Sequence, residues 1–454
     1  MIFSSIYFIY YFLIIFLILY FITPKKYKNY TLLLGSLFFY FYGDSKYIVL
    51  LLISSLVNYI LGRLISKKNK KLFLIIGLIF NFGLLFYFKY FNFFLSNINS
   101  LFKTNINLFS IVLPLGISFY TFKNASYLID VYKNRVNSEK NFINYFTYIA
   151  MFPSLIQGPI VRYKDIDLKD KKISFDNFAM GVKRFVIGLS KKVILADTLA
   201  KLVTSLTNME VQTVVSLWVK ATSDIVKLYL DFSGYTDMAI GLGLMIGIKI
   251  MENFDYPLST YSVTSFWRKW HISLSNFFKE YVYFPLGGSK KNKLITIRNL
   301  MVVWLLTGIW HGNTINFLLW GLYYGIIIVL EKFVLNNFLE KLPKIFKHLY
   351  VIIIVLFGYI LFTQNSLNDI SLFISNMFKG NLYNNEVIFY LRDNLFLIIL
   401  SLLMILKLPE SIKNKISNNK FINIVIIIIY VCLFIITVSF ILSGSFKPFL
   451  YNSF

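Results

Sequence analysis

Three histidines occur in the 454 residues, His271, His311 and His348, and two stand in company that could support a reaction. His311 lies in the run Trp304-Leu305-Leu306-Thr307-Gly308-Ile309-Trp310-His311-Gly312-Asn313. An ionisable side chain in such an apolar run is expensive and marks a functional position by default. Imidazole titrates near neutrality and can take a proton from a hydroxyl, and the flanking glycines let backbone or substrate come close. The competing reading is a buried histidine bonded to a backbone carbonyl and nothing more. His271 lies in Phe266-Trp267-Arg268-Lys269-Trp270-His271-Ile272-Ser273-Leu274-Ser275. Its aromatic and cationic neighbours fit an interfacial belt with snorkelling side chains, which accounts for Trp267 and Lys269 better than for the histidine. His348 follows Lys347 at a helix entry and reads as a surface residue.

A second polar constellation is Asp231-Phe232-Ser233-Gly234-Tyr235-Thr236-Asp237. Two carboxylates and several hydroxyls in apolar surroundings suit either a tightly packed helix, with its carboxylates paired to cations such as Arg268, or the polar wall of a tunnel. Gly243 and Gly247, just downstream, have the small-xxx-small spacing of close helix packing. Other chemistries find less support. Gly287-Gly288-Ser289-Lys290 lacks the spacing of a phosphate-binding Walker loop. No HExxH or paired-histidine spacing argues for zinc, so no metal is expected. No GxSxG elbow is present, although a Ser-His-Asp triad stays open. Cys432 is the single cysteine and lies in an apolar run; it excludes an intrachain disulfide and reads as a small packing residue.

The elements that must position these residues are membrane helices. Of the residues, 57% are hydrophobic and only 15% charged, against about 25% charged in soluble domains, and many apolar stretches approach the roughly 20-residue spanning length. The net charge of +25 could suggest nucleic acid, but the basic residues sit in short loops between apolar runs, as the positive-inside rule requires, so no nucleic-acid partner is expected. Taking Lys25–Lys28, Lys67–Lys71, Lys133–Lys140, Lys341–Lys347 and Lys407–Lys420 as inside clusters gives a topology. Residues 2–22 read as a retained helix starting outside; after Lys25–Lys28 an apolar run ends outside near Asp44, and crossings follow at 46–66, 72–95 and 109–132. Residues 141–159 have inside flanks at both ends and read as re-entrant or interfacial. An interfacial helix leads into a membrane one over 178–206, helices follow at 209–223 and 224–250, and 257–288 reads as a second re-entrant element. Spans near 297–312, 314–334, 349–364, 391–406 and 421–443 complete a single membrane domain of about ten to twelve crossings, multi-pass in the cytoplasmic membrane, with both termini outside.

The sequence resembles the membrane-bound O-acyltransferase (MBOAT) superfamily, most closely its alginate O-acetyltransferase-like bacterial branch. The resemblance runs through Leu113-Pro114-Leu115-Gly116-Ile117-Ser118-Phe119-Tyr120-Thr121-Phe122, Tyr127-Leu128-Ile129-Asp130-Val131-Tyr132 and Gly158-Pro159-Ile160-Val161-Arg162-Tyr163. It continues through Asp231-Phe232-Ser233-Gly234-Tyr235, Met251-Glu252-Asn253-Phe254, Phe266 to Ser275 and Trp310-His311-Gly312. Lys269 stands where arginine is usual, and Asn313 where alanine is common. The resemblance implies an all-α polytopic fold around a central tunnel, with core motifs at about 110–330. It implies that His311 is the active-site histidine and His271 the second motif histidine, with Trp267, Arg268, Trp270, Asp231, Ser233, Tyr235, Asp237 and Trp310 shaping the tunnel or binding substrate. It further implies an acetyl donor on the cytoplasmic side, acetyl-coenzyme A or an acyl carrier thioester, no bound cofactor, membrane lipids around the chain, and a secreted or membrane-anchored SGNH-type acetyltransferase outside that modifies an exopolysaccharide. Two other readings stay open: D-alanyl transfer to teichoic acid, and non-catalytic transport of a glycan or lipid precursor.

Overall fold

The computed structural model describes residues 2–67, 69–364, 366–407 and 420–444. Among them the chain is helix and loop, without a strand. It forms two compact units, Met1–Phe185 with Thr236–Glu252, and Val186–Tyr235 with Asn253–Phe454. By length and composition six helices can cross a membrane: Ile48–Ile65, Lys70–Phe102, Lys293–His311, Ile315–Lys341, Lys344–Thr363 and Ile422–Leu442. The pair Asn385–Asp393 and Leu395–Met404, bent by 58°, makes a seventh if it is one broken span. The larger number expected from sequence includes shorter apolar helices such as Tyr7–Ile22. The chain is thus a multi-pass membrane protein in which every backbone group of a span must be satisfied inside its own helix.

In the first unit, aromatic rings fill the space between short helices. Phe16 lies 5.1 Å from Phe152 and Phe12 5.4 Å from the same ring. Ile117–Tyr132 is buried along nearly all its length. Its Lys123 donates to Ser154 Oγ at 2.8 Å and to two backbone carbonyls, since an ammonium group away from water needs oxygen partners. The 141–159 segment contains only the nine-residue helix Phe142–Ala150 and a turn at Phe152–Ser154. At 1.5 Å per residue that helix covers about 14 Å, far short of a crossing.

The two helices expected at 209–223 and 224–250 are one, Val214–Met245. No glycine or proline breaks it near 223. Three charges near the expected boundary, Lys220, Asp224 and Lys227, pair along a single face, Asp224 with each lysine; Lys220 Nζ lies 3.2 Å from Asp224 Oδ2, as the i,i+3 and i,i+4 spacing allows. The glycines near its end act differently from expectation. Gly247 has φ +77° and ends the helix, with Ile248 N donating to Gly243 O at 2.8 Å; a left-handed residue after the last turn is the usual glycine stop. Gly243 therefore serves that turn, and the close helix contact is made by Gly241, where a Cβ would lie 2.6 Å from Gly181 O. Cys432 is exposed on Lys420–Leu442 instead of packed; a helix apolar all round gives no sequence clue to its packed face. The basic stretch expected at 407–420 lies, apart from its ends, outside the described residues.

In the second unit the helix pair Lys293–His311 and Ile315–Leu330 meets backbone to backbone. A Cβ on Gly308 would collide with Phe317 O, and one on Gly321 with Trp304 O. Only hydrogen in place of a side chain permits that approach. Gly321→Val is expected to force the pair apart and lower stability by about 1–3 kcal/mol, read as a fall in the thermal transition of purified protein. Gly83→Ala, where no atom lies within 4 Å, should leave the transition in place or raise it.

Candidate active site

Lys293–His311 starts from a firm cap. Asn292 accepts from Ile295 N at 2.9 Å, and Asn299 Nδ2 donates to Gly288 O at 2.9 Å, tying the preceding loop to the helix. His311 is the last residue of the helix and is 5% exposed. Aromatic rings surround it: Trp310 and Trp320 at 4.9 Å and Phe362 at 5.3 Å between centroids. Trp320 leads on to Trp267, which packs edge-on to Trp304 and Tyr324 at 4.8 Å each. The glycines beside His311 make room for protein. Gly308 meets the neighbouring helix backbone, and Gly312 meets the Phe317 ring.

The 257–288 segment is broken into Val263–Lys269 and Ile272–Phe278, with His271 at the joint. The first helix is capped twice over. Ser262 and Ser265 form a capping box, and the buried Glu331 carboxylate accepts from Val263 N at 2.6 Å and Thr264 N at 2.8 Å, where the positive end of a helix favours a carboxylate. His271 itself takes φ 47° and ψ 54°, a left-handed conformation that costs a residue with a side chain roughly 1–2 kcal/mol. Asn253 holds it there. Its carbonyl accepts from Ile272 N at 2.9 Å, and its Oδ1 accepts from Ser273 N at 3.1 Å and Ser273 Oγ at 2.8 Å, with His271 Nδ1 at 3.2 Å. An amide oxygen cannot donate, so Nδ1 carries the proton in the neutral ring and the lone pair sits on Nε2. That Nε2 is buried and has no hydrogen-bond partner among the described residues.

Both histidines line one cavity of about 830 Å³. Thr307, Trp304, Trp267 and Arg268 line it with them. Its lining also includes the exposed Lys332, Asn336 and Glu340, so the cavity runs from the buried imidazoles to the protein surface. A smaller cavity of about 40 Å³ is lined by His311, Trp267, Trp270, Trp320 and Phe362 among others. Four of the expected site residues, His311, His271, Trp267 and Arg268, are therefore brought together, and Trp270 borders the smaller space. Trp310 packs 6.0 Å from His271.

The Asp231 to Asp237 run is not part of either lining. Asp231 is buried 2.8 Å from Lys192, which also holds Asp197 at 2.7 Å. The cation expected from Arg268 is supplied by Lys192, since Arg268 is exposed and points its charge elsewhere. Ser233 and Tyr235 are buried. Asp237 belongs to the first unit, where it lies 2.6 Å from Arg184, itself 2.6 Å from Glu252. His348, read as a surface residue, is half-buried with Nδ1 3.2 Å from Thr260 O. Sequence reasoning does not single out Asn253, Glu331, Trp304 or Trp320. The only signal for Asn253 is its place in the Met251-Glu252-Asn253-Phe254 run.

The comparisons with known proteins concern the family of the chain. Residues 133–372 match the model of the MBOAT, membrane-bound O-acyltransferase family. The chain is 37% identical over 378 residues to the probable alginate O-acetylase AlgI of Pseudomonas aeruginosa, covering 81% of this chain and 73% of that one. It is 36% identical over 381 residues to the peptidoglycan O-acetyltransferase of Helicobacter pylori, 74% of this chain and 71% of the other. To the teichoic acid D-alanyltransferase of Bacillus subtilis it is 27% identical over 249 residues, 52% and 62% of the two chains. The Asn253 clamp has a measurable consequence for acyl transfer. Asn253→Ala should release the His271 turn and cost up to about 10²-fold in rate, the penalty of misplaced reacting groups, with unchanged membrane insertion; a wild-type rate in purified protein would deny the clamp its role. With the apolar spans, the paired histidines in one cavity and these relatives together, the chain belongs to the membrane-bound O-acyltransferase family and is an acyltransferase.

Proposed function

We propose that the chain passes an acetyl group from a cytoplasmic thioester donor through the cell membrane for O-acetylation of an extracellular polysaccharide. The observation that carries this reading is the single cavity that joins His311 and His271 to a charged rim. Arg268, Lys279, Lys332 and Lys347 line it with Glu331 and Glu340, a setting with an excess of cations that suits the phosphates of coenzyme A or of an acyl carrier. Lys347 also belongs to a cluster that the positive-inside rule assigns to the cytoplasm, which supports donor entry from that side and, by the same counting, termini outside. The aromatic space of about 40 Å³ beside His311 has room for a group of a few heavy atoms. Relatives named for O-acetylation of alginate and of peptidoglycan support acetyl as the group and a polysaccharide as its destination.

In this mechanism His311 removes the proton from an acceptor hydroxyl. The hydroxyl oxygen attacks the thioester carbonyl, a C–O bond forms, the C–S bond breaks, and the proton goes on to the departing thiolate. General-base help of this kind contributes about 10²–10⁴-fold. The position of His311 at a helix C-terminus helps to hold the positive charge it acquires, an effect of about 0.3–1 kcal/mol. His271, Trp267 and Arg268 hold the donor in the cavity. A secreted or membrane-anchored SGNH-type partner would receive the acetyl group outside. The D-alanyl reading is supported by the Bacillus subtilis relative and differs in the group carried.

Mass spectrometry of surface polysaccharide from a deletion strain separates these readings. We expect acetyl esters to disappear and to return with a plasmid copy of the gene. Loss of D-alanyl esters with acetyl esters intact would favour the second reading. A polymer with both ester types unchanged would overturn both.

A further inference from the structure

We propose that a second cavity, lying within the first unit, binds a phosphate-bearing anion with a neighbouring hydroxyl, the chemistry of a phosphoglycerol headgroup. This site is separate from the reaction described above and does not depend on it. The cavity measures about 930 Å³ and is lined by Lys25, Lys26, Lys28, Lys169 and Lys171, with no carboxylate in its lining among the described residues. Of the five, Lys169 has a carboxylate within reach, Glu139 at 3.7 Å.

The placement of two of these lysines is hard to explain without an anion. Lys28 and Lys171 both lie over the ring of Tyr20, at 4.5 Å and 5.3 Å from its centroid. One aromatic ring thus serves two ammonium groups, and each cation–π contact is worth only about 0.5–2 kcal/mol. Lys28 is buried and also donates to Tyr20 O at 2.6 Å. The Lys171 Nζ is buried and has no hydrogen-bond partner among the described residues. Burial, with Lys28 adding to it, pushes Lys171 down to about 8, as expected for a cation short of a counter-charge. An orphan acceptor lines the same cavity. Asn29 gives its Nδ2 to Asn144 Oδ1 at 2.9 Å and to Leu168 O at 3.3 Å, yet its Oδ1 is buried and unpartnered among the described residues.

Buried polar atoms are satisfied in the great majority of cases, and here one unsatisfied donor and one unsatisfied acceptor belong to residues that line the same cavity. In the proposed complex a phosphate oxygen meets the lysines and an adjacent hydroxyl meets Asn29 Oδ1. The cavity also adjoins the ends of Tyr7–Ile22 and Lys28–Gly43, with Phe21, Tyr27 and Tyr30 in its lining. Tyrosines and lysines at the ends of apolar helices mark the headgroup level of a bilayer, and basic pockets there take anionic lipid headgroups.

The test follows the thermal transition of the purified full chain in neutral detergent, titrated with phosphatidylglycerol, with phosphatidylcholine, or with soluble sn-glycerol 3-phosphate. Phosphatidylglycerol should raise the transition and phosphatidylcholine should not. Lys28→Gln with Lys171→Gln should need about tenfold more phosphatidylglycerol or more for half the effect. Lys70→Gln with Lys71→Gln, exposed and remote in sequence, should behave as wild type. If the first double variant does not fold, Lys25→Gln with Lys26→Gln, both exposed, should show the same weakening. Stabilisation by soluble glycerol phosphate at millimolar concentration would support the site and assign it to a free anion. Equal response to both lipids without response to glycerol phosphate, or a wild-type titration in the folded lysine variants, would overturn the proposal.

Discussion

The contact of Gly308 with the backbone of Ile315–Leu330 decides where the His311 imidazole stands. Two helices that touch through glycines can be joined by the short turn at Gly312–Thr314, and that turn fixes His311 at a helix end among Trp310, Trp320 and Phe362. In a bilayer, helices gain little from burying apolar surface against one another, because lipid is equally apolar. Close backbone approach and satisfied polar groups must hold the pair instead. The same reasoning applies to Glu331, whose carboxylate carries the start of Val263–Lys269 and with it Trp267 and Arg268.

The two histidines are held by different means. His311 is set by the end of a long helix and a wall of rings. His271 is set by one asparagine that bonds the turn through both its carbonyl and its side chain. The left-handed conformation of His271 is a small strain that persists because Asn253 over-determines it, a common feature of functional sites. The result is a cavity whose two imidazoles are buried and fixed at a distance from its exposed, charged rim, and charge developing beside them interacts strongly with whatever faces it.

Much of this is legible in the sequence. A titratable residue in an apolar run points to His311, and apolar length points to the spans, because both signals are local. The single helix Val214–Met245 is not: it runs on through the expected boundary, where Lys220, Asp224 and Lys227 pair along one face. The roles of Gly243 and Gly247 are hidden because their spacing alone cannot tell a helix contact from a helix stop; the sign of φ at Gly247 decides it. The partner of Asp231 is Lys192 and not Arg268, a pairing that sequence does not reveal because the two residues lie far apart along the chain. Asn253, Trp304, Trp320 and Glu331 escape notice for the same reason: each matters through long-range contacts, and an asparagine or a tryptophan in a membrane protein is unremarkable until its neighbours are known.

The central claim is that His311 takes the acceptor's proton at the inner end of the large cavity. The most direct measurement is transfer of labelled acetyl from acetyl-coenzyme A by purified protein in proteoliposomes, comparing wild type with His311→Asn, which keeps a polar side chain of similar reach. The account predicts that the substitution lowers the transfer rate by about 10²–10⁴-fold with insertion and thermal transition unchanged. Transfer at the wild-type rate by a properly inserted His311→Asn protein would contradict it.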